Sequence, residues 1–294
     1  MLRASWPRRS PATAILLWQA LGLAGGLAAV GALLAIGVSG PGIEESGVAG
    51  GLVALARKFT AGDALPAREP VVITLVRLSS LVAGVALFGA LCWLLVMAFA
   101  AAVQARKRQR ELLALLAHGD PKAPGALVVD YPAAAAYCLP GIRSQIVVSA
   151  GTLKLLAPAE LAAVLAHERA HLRARHDLVL IPFTSLRRAF PNARVVCQTY
   201  RAVALLVEMM ADDRALRVRG LVARELATAL LRFGTSGAPA DAPAGAMAVA
   251  EGELTARVNR LLAPPHPLAR PVQWAVVLTA AILVITPILL LVTP

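Results

Sequence analysis

Five residues, His167-Glu168-Arg169-Ala170-His171, form an HExxH pattern. On a helix, positions i and i+4 share a face, so two imidazole nitrogens can hold one Zn²⁺. Glu168 is rotated from His167 by about 100°. Its carboxylate then stands beside the metal without ligating it, where it can take a proton from water. Zinc would lower the pKa of that water toward about 7. Two histidines leave a third protein ligand to be found. A histidine six residues after His171 would give one familiar arrangement, but Asp177 stands there, His176 is off by one, and the glycine of that pattern is absent. The alternative is a carboxylate on a second helix. Glu208-Met209-Met210-Ala211-Asp212 supplies two, again i and i+4, some 40 residues after Glu168. Glu208 can ligate, and Asp212 can accept the outer N–H of a ligating histidine and fix its tautomer. From spacing alone either could be the ligand, and Asp212 could instead pair on the surface with an arginine such as Arg214.

The elements that must position these groups are partly legible. From Pro158 the chain turns helical: proline suits a first turn, and Leu161, Val164, Leu165 and Leu172 make one apolar stripe. Residues 195–219 read as the second helix. Gly125–Asp130 and Gln145–Ser149 read as short β-branched strands, and Ala133–Cys138 between them as strand or helix. The stretch Gly234–Gly245 reads as a soft linker, followed by a short helical stretch and then Pro264-Pro265.

The rest of the chain is not that of an ordinary soluble domain. Hydrophobic residues make up 58% of its 294 residues, charged residues only 16%, and mean hydropathy is +0.70. Intrinsic disorder is excluded. Three uncharged runs can each cross a bilayer, which takes about 20 apolar residues: 13–38, 78–103 and 272–292. A cleaved signal is the rival reading of the first run, but the run exceeds the usual ~7–15 residues and no small-x-small site follows. Gly22 and Gly26 form a GxxxG pair that a glycine-rich run produces by chance.

Net charge is +12, and its location excludes a DNA-binding stripe. Arg3, Arg8 and Arg9 precede the first span, and Arg106, Lys107, Arg108 and Arg110 follow the second. Basic flanks stay inside. The expected order is therefore an N-terminal membrane region (1–103) with an external loop at 39–76, a cytoplasmic domain at 104–271 and a last span at 272–294. Direct contact with nucleic acid is not expected. The three cysteines, Cys92, Cys138 and Cys197, show no CxxC spacing, so a disulfide framework and a cysteine-built zinc site are excluded. Arginine supplies 25 of the 29 basic residues, which we read as a GC-rich, bacterial coding sequence; the membrane is then the inner membrane.

HERAH followed by EMMAD, preceded by the strand IVVS and a helix opening APAELAAVLA, resembles the gluzincin clan of membrane-embedded peptidases. Two types are similar: the HtpX-like type, and the BlaR-like β-lactam-sensor type, which the stretch HERAHLRARHDLVLIPFTSLRRAF resembles most. The resemblance covers roughly residues 105–270 and the flanking helices. It implies a mainly α, polytopic protein with a small β-sheet and a zincin-like cytoplasmic domain between transmembrane helices. It also implies His167, His171 and Glu208 as zinc ligands, Glu168 as catalytic base, and a protein or peptide substrate, for example a cytoplasmic repressor. Two departures stand out: full sensors carry a penicillin-binding domain after the last helix, whereas this chain stops at Pro294, and such relatives often have a further N-terminal helix. The HtpX type carries an asparagine on an edge strand before the active helix; AAAAYC lacks it. Quality control of membrane proteins is the alternative role, and a catalytically silent signalling scaffold the alternative class.

Among the remaining candidates, His118 is expected at a helix end, His266 in linker, and His176 either behind a ligand or on a solvated face. Cys138 is expected as a buried thiol that approaches the site if its segment is an edge strand. Tyr200, Arg214 and Arg217 are candidates to stabilise a tetrahedral oxyanion.

Overall fold

The computed structural model describes residues 4–39, 47–61, 70–141, 144–236 and 244–292. Two compact units are present. One is made of residues 13–96 and 269–294, the other of residues 1–12 and 97–268.

The first unit holds the apolar helices. α1 (Pro11–Val38) and α10 (Arg270–Val292) coincide with the first and third expected spans within two residues at each end. α3 (Val71–Leu116) contains the second and runs well beyond it at both ends. Its 46 residues measure about 69 Å at 1.5 Å per residue, and its residues after Val96 belong to the other unit. All three helices are long and apolar enough to cross a membrane. The expected 39–76 loop carries a helix of its own, α2 (Gly47–Ala61). α1 and α3 come close at Gly37, where an added Cβ would lie 2.8 Å from the Leu81 Cα, and at Gly84, which meets Leu34. Small residues allow such backbone contact. Gly22 of the GxxxG pair faces open space.

The second unit is built on a four-stranded sheet of β1 (Ala117–Gly119), β2 (Leu127–Val129), β3 (Ala136–Leu139) and β4 (Gln145–Ser149), in the order β1-β2-β4-β3. β2 and β4 are parallel, and the outer pairings are antiparallel. The Ala133–Cys138 segment thus resolves into an edge strand, and His118 sits in a strand, paired with Val128, rather than at a helix end. The strands alternate as a two-sided sheet requires. Val128, Ile146 and Val148 pack on Leu161, Val164 and Leu165 of α5 (Pro158–Ala174). Val147 and Leu139 pack on Leu113 of α3.

The sheet leads directly into the helices. Ser149 ends β4 and caps α4 (Ala150–Leu155), accepting from the Thr152 N–H at 3.1 Å. The Ser149 and Thr152 hydroxyls also accept from the Ala135 N–H at 2.9 and 2.8 Å, which pins the start of the edge strand. At Gly151 the backbone passes so close to Pro132 that a Cβ would lie 2.1 Å from its carbonyl oxygen, so only glycine fits. α5 opens as the sequence predicts, with Pro158 in the first turn and the Glu160 carboxylate accepting from the Ala157 N–H at 2.8 Å.

α5 ends at Arg175, whose φ of 50° makes it the only non-glycine residue with positive φ among the described residues. α6 (His176–Ala189) starts immediately afterwards and α7 (Arg194–Ala215) returns beside it. α8 (Ala223–Ser236) and α9 (Ala244–Leu262) close the unit, burying Leu226, Ala227, Val258 and Leu261 against Ala163 and Ala166 of α5.

Candidate metal centre

α5 and α7 bring three donor groups together. His167 Nε2 lies 3.1 Å from His171 Nε2 and 3.3 Å from Glu208 Oε2, and His171 Nε2 lies 3.5 Å from Glu208 Oε1. One ligand atom from each of the three lies within 4.8 Å of the other two. Of the two carboxylates on α7, Glu208 is therefore the one that faces both histidines.

Asp212 stands behind them. Its Oδ1 is 2.9 Å from His167 Nδ1, the nitrogen turned away from Glu208. The arginine that pairs with it is not Arg214. Two residues apart on a helix, Asp212 and Arg214 point in opposed directions. The partner is Arg257 of α9, which the sequence reading passed over as part of a short helical stretch. Its guanidinium donates from Nε to Asp212 Oδ2 at 2.9 Å and from Nη2 to Oδ1 at 2.7 Å, and its Nη1 lies 3.0 Å from Glu208 Oε2. A few residues on, Arg260 holds Asp213 by two further hydrogen bonds. No local signal in the sequence announces these pairs, because the partners lie more than 40 residues apart.

The charges explain the ionisation of the cluster. Burial works against the Asp212 and Glu208 carboxylates, but hydrogen bonds from the histidines and the charge of Arg257 outweigh it and hold both below the usual carboxylate range. Burial disfavours a charge on His167, yet Asp212 and Glu208 push its pKa up to about 9. A site that favours a positive charge on His167 favours a metal dication for the same reason. The donor set of two imidazoles and one carboxylate is one that zinc takes. One of the two histidines has a carboxylate on its outer nitrogen, as ligating histidines require. The residues fit a zinc ion.

Glu168 is not one of the three donors, as its place on the helix dictates, but its carboxylate lies close enough to feel the charges of His167, His171 and Glu208. It meets the thiol of Cys138 on the edge strand β3, and burial raises its pKa above the ordinary glutamate value. The same contact affects the sulfur: burial first, then the charge of Glu168, push the Cys138 thiol up to about 12. The edge strand thus passes next to the acidic group expected to do proton transfer.

His176 is buried, with 1% of its surface exposed, and so is not on a solvated face. Its Nδ1 lies 3.0 Å from His171 Nδ1, and its Nε2 lies 3.3 Å from Arg214 Nη1. Burial, helped by the charges of His171 and Arg214, pushes its pKa down to about 3, so it is neutral. Arg214 is thereby engaged with His176. Tyr200 lies under the Arg187 guanidinium, 4.0 Å from the ring centroid. His266 lies outside the regular elements, where its carbonyl accepts from Arg9 Nε at 2.9 Å.

Compared with known proteins, residues 96–267 match the model of a family described as Peptidase family M48. No curated protein and no solved structure matches the chain.

Proposed function

The chain belongs to peptidase family M48, and on that premise we propose that it is a membrane-anchored zinc endopeptidase that cleaves protein substrates at the cytoplasmic face of a bacterial inner membrane. The observation that carries this reading is the convergence of His167, His171 and Glu208 within 4.8 Å, with Glu168 next to them on α5. The family makes the protein a metallopeptidase. Three helices able to cross a bilayer make it a membrane protein.

In this reading His167, His171 and Glu208 hold the zinc. When bound, zinc acts as a Lewis acid toward a peptide carbonyl and toward water. Glu168 is the general base: its carboxylate takes the proton of the attacking water and passes it to the leaving amine. Burial suits that role, because a carboxylate with a raised pKa is a stronger base and takes a proton from water more readily than an ordinary glutamate does. Asp212 keeps the proton of His167 on Nδ1 and so leaves Nε2 free to ligate. Arg257 balances the charge of the two carboxylates.

The cytoplasmic placement rests on the arginines that flank the first and second spans. The regulatory role, cleavage of a cytoplasmic repressor, rests on the likeness of the HERAH stretch to the BlaR-like type. The test is purification of the full chain in detergent with metal analysis, followed by cleavage of an unfolded protein by wild type and Glu168→Ala. One zinc per chain in both, with turnover in wild type only, is expected. Cleavage by Glu168→Ala at the wild-type rate would remove the assigned base.

A further inference from the structure

The two histidines are held in chemically different ways. Behind His167 stands Asp212, a carboxylate, which can only accept. His167 therefore has one tautomer open to it, with the proton on Nδ1 and the lone pair on Nε2. Behind His171 stands His176, a second imidazole, which can either donate or accept through the nitrogen it presents. The His171 tautomer is then decided one residue further out.

Donor and acceptor roles follow along this chain of contacts. For Nε2 of His171 to give its lone pair to a metal, its proton must sit on Nδ1. That proton faces His176 Nδ1 at 3.0 Å, so His176 must accept there and carry its own proton on Nε2. But Nε2 of His176 faces Arg214 Nη1 at 3.3 Å, and a guanidinium has only donors. Two donors would then oppose each other. In the converse arrangement Arg214 donates to His176 Nε2, His176 donates from Nδ1 to His171, and the proton of His171 is forced onto Nε2, where it blocks ligation. The two arrangements hold the same number of protons and differ only in where they sit.

The backbone serves this contact. In an uninterrupted helix a residue five positions on is rotated by about 140° and would face away from His171. The left-handed turn at Arg175, a conformation that L side chains disfavour, ends α5 and starts α6 so that the His176 ring packs edge-on against that of His171, with centroids 4.7 Å apart.

We propose that His176 is the positioning residue of the second metal-ligating histidine and that Arg214 opposes it, so that their contact sets the metal affinity of the site. This rests on the reading of His167, His171 and Glu208 as the ligand set. The experiment measures zinc affinity of the full chain in detergent, at one pH, by competition with a chromophoric chelator, with thermal unfolding followed in parallel. His176→Ala should lose about 10–100-fold in affinity, the usual cost of removing the group behind a ligand. His176→Gln, which keeps an acceptor, should recover most of it. Arg214→Met should raise affinity by about 2–10-fold, the net worth of one hydrogen bond, and should have no effect in the His176→Ala background. A contact that only supports the fold would not raise affinity when lost. Arg214→Met at or below wild-type affinity, or His176→Ala equal to wild type, would overturn the inference while leaving the function in place. A wild-type chain that takes up no zinc, or a Glu208→Ala variant that binds it as tightly as wild type, would instead remove the function reading on which the inference stands.

Discussion

Glu208 and Asp212 show how two carboxylates one turn apart come to do different things. Glu208 is the one within reach of both Nε2 atoms, while Asp212 faces the outer nitrogen of His167 and is 1% exposed. Glu208→Ala should therefore lower zinc occupancy sharply, since it removes one of three protein ligands. Asp212→Asn should keep part of the metal and part of the turnover, reduced by about 10–100-fold. A zinc titration across wild type and both variants checks the order; an Asp212→Asn protein with no zinc at all would reverse the two assignments. Cys138 permits a second check. Its pKa, pushed up from 9.0 to about 12, leaves about a thousandfold less thiolate than an ordinary thiol at pH 8. Alkylation of Cys138 by iodoacetamide, followed by mass spectrometry, should be slower than that of a free peptide thiol by a similar factor. Glu168→Gln should speed it, because the charge of Glu168 is one cause of the shift.

Among the elements, α9 matters most to the site beyond the two helices that carry it. Arg257 reaches Asp212 and Glu208, and Arg260, nearly one turn on, reaches Asp213 and the carbonyl of Arg8. These pairs are not equivalent. Asp212 is buried, so Arg257→Ala leaves a charge without its main counter-ion, a change that costs about 3 kcal/mol or more. Asp213 is about one-third exposed and water can replace its partner, so Arg260→Ala should cost under ~1 kcal/mol. Denaturant unfolding of the two variants measures the difference. Arg257→Lys should rescue little, since an ammonium cannot reproduce the two-pronged contact. Equal costs for the two alanine variants would show that burial does not separate them.

For the whole molecule the decisive question is on which side of the membrane the metal centre works. The proposed placement of residues 104–271 inside rests on the arginines before α1 and in α3 after its apolar part. A cysteine engineered between Gly237 and Ala244, in a background lacking Cys92, Cys138 and Cys197, should resist a membrane-impermeant maleimide in intact cells and react after permeabilisation. Reaction in intact cells would place the catalytic unit outside and exclude a cytoplasmic repressor as substrate.

The sequence determined whatever depends on local periodicity. The helical spacing of HERAH and EMMAD, the strand QIVVS and the apolar lengths of α1 and α10 were all legible, because each is a pattern within one element. The end of the second membrane helix was not, since helix propensity continues unbroken through the charged 104–116 stretch, where a change of solvent rather than of conformation was the signal. Nor could the sequence choose between strand and helix for an alanine-rich segment. The β3 edge was fixed by pairing with β4 and by the Ser149 and Thr152 hydroxyls. Spacing left Glu208 and Asp212 interchangeable and offered Arg214 as a partner for the latter. Only the packing of α7 against α5, α6 and α9 separated the two carboxylates, gave Asp212 to Arg257 and turned Arg214 to His176. Residues 38 to 45 positions apart meet there, and a contact of that range is set by how helices pack, which no local pattern encodes.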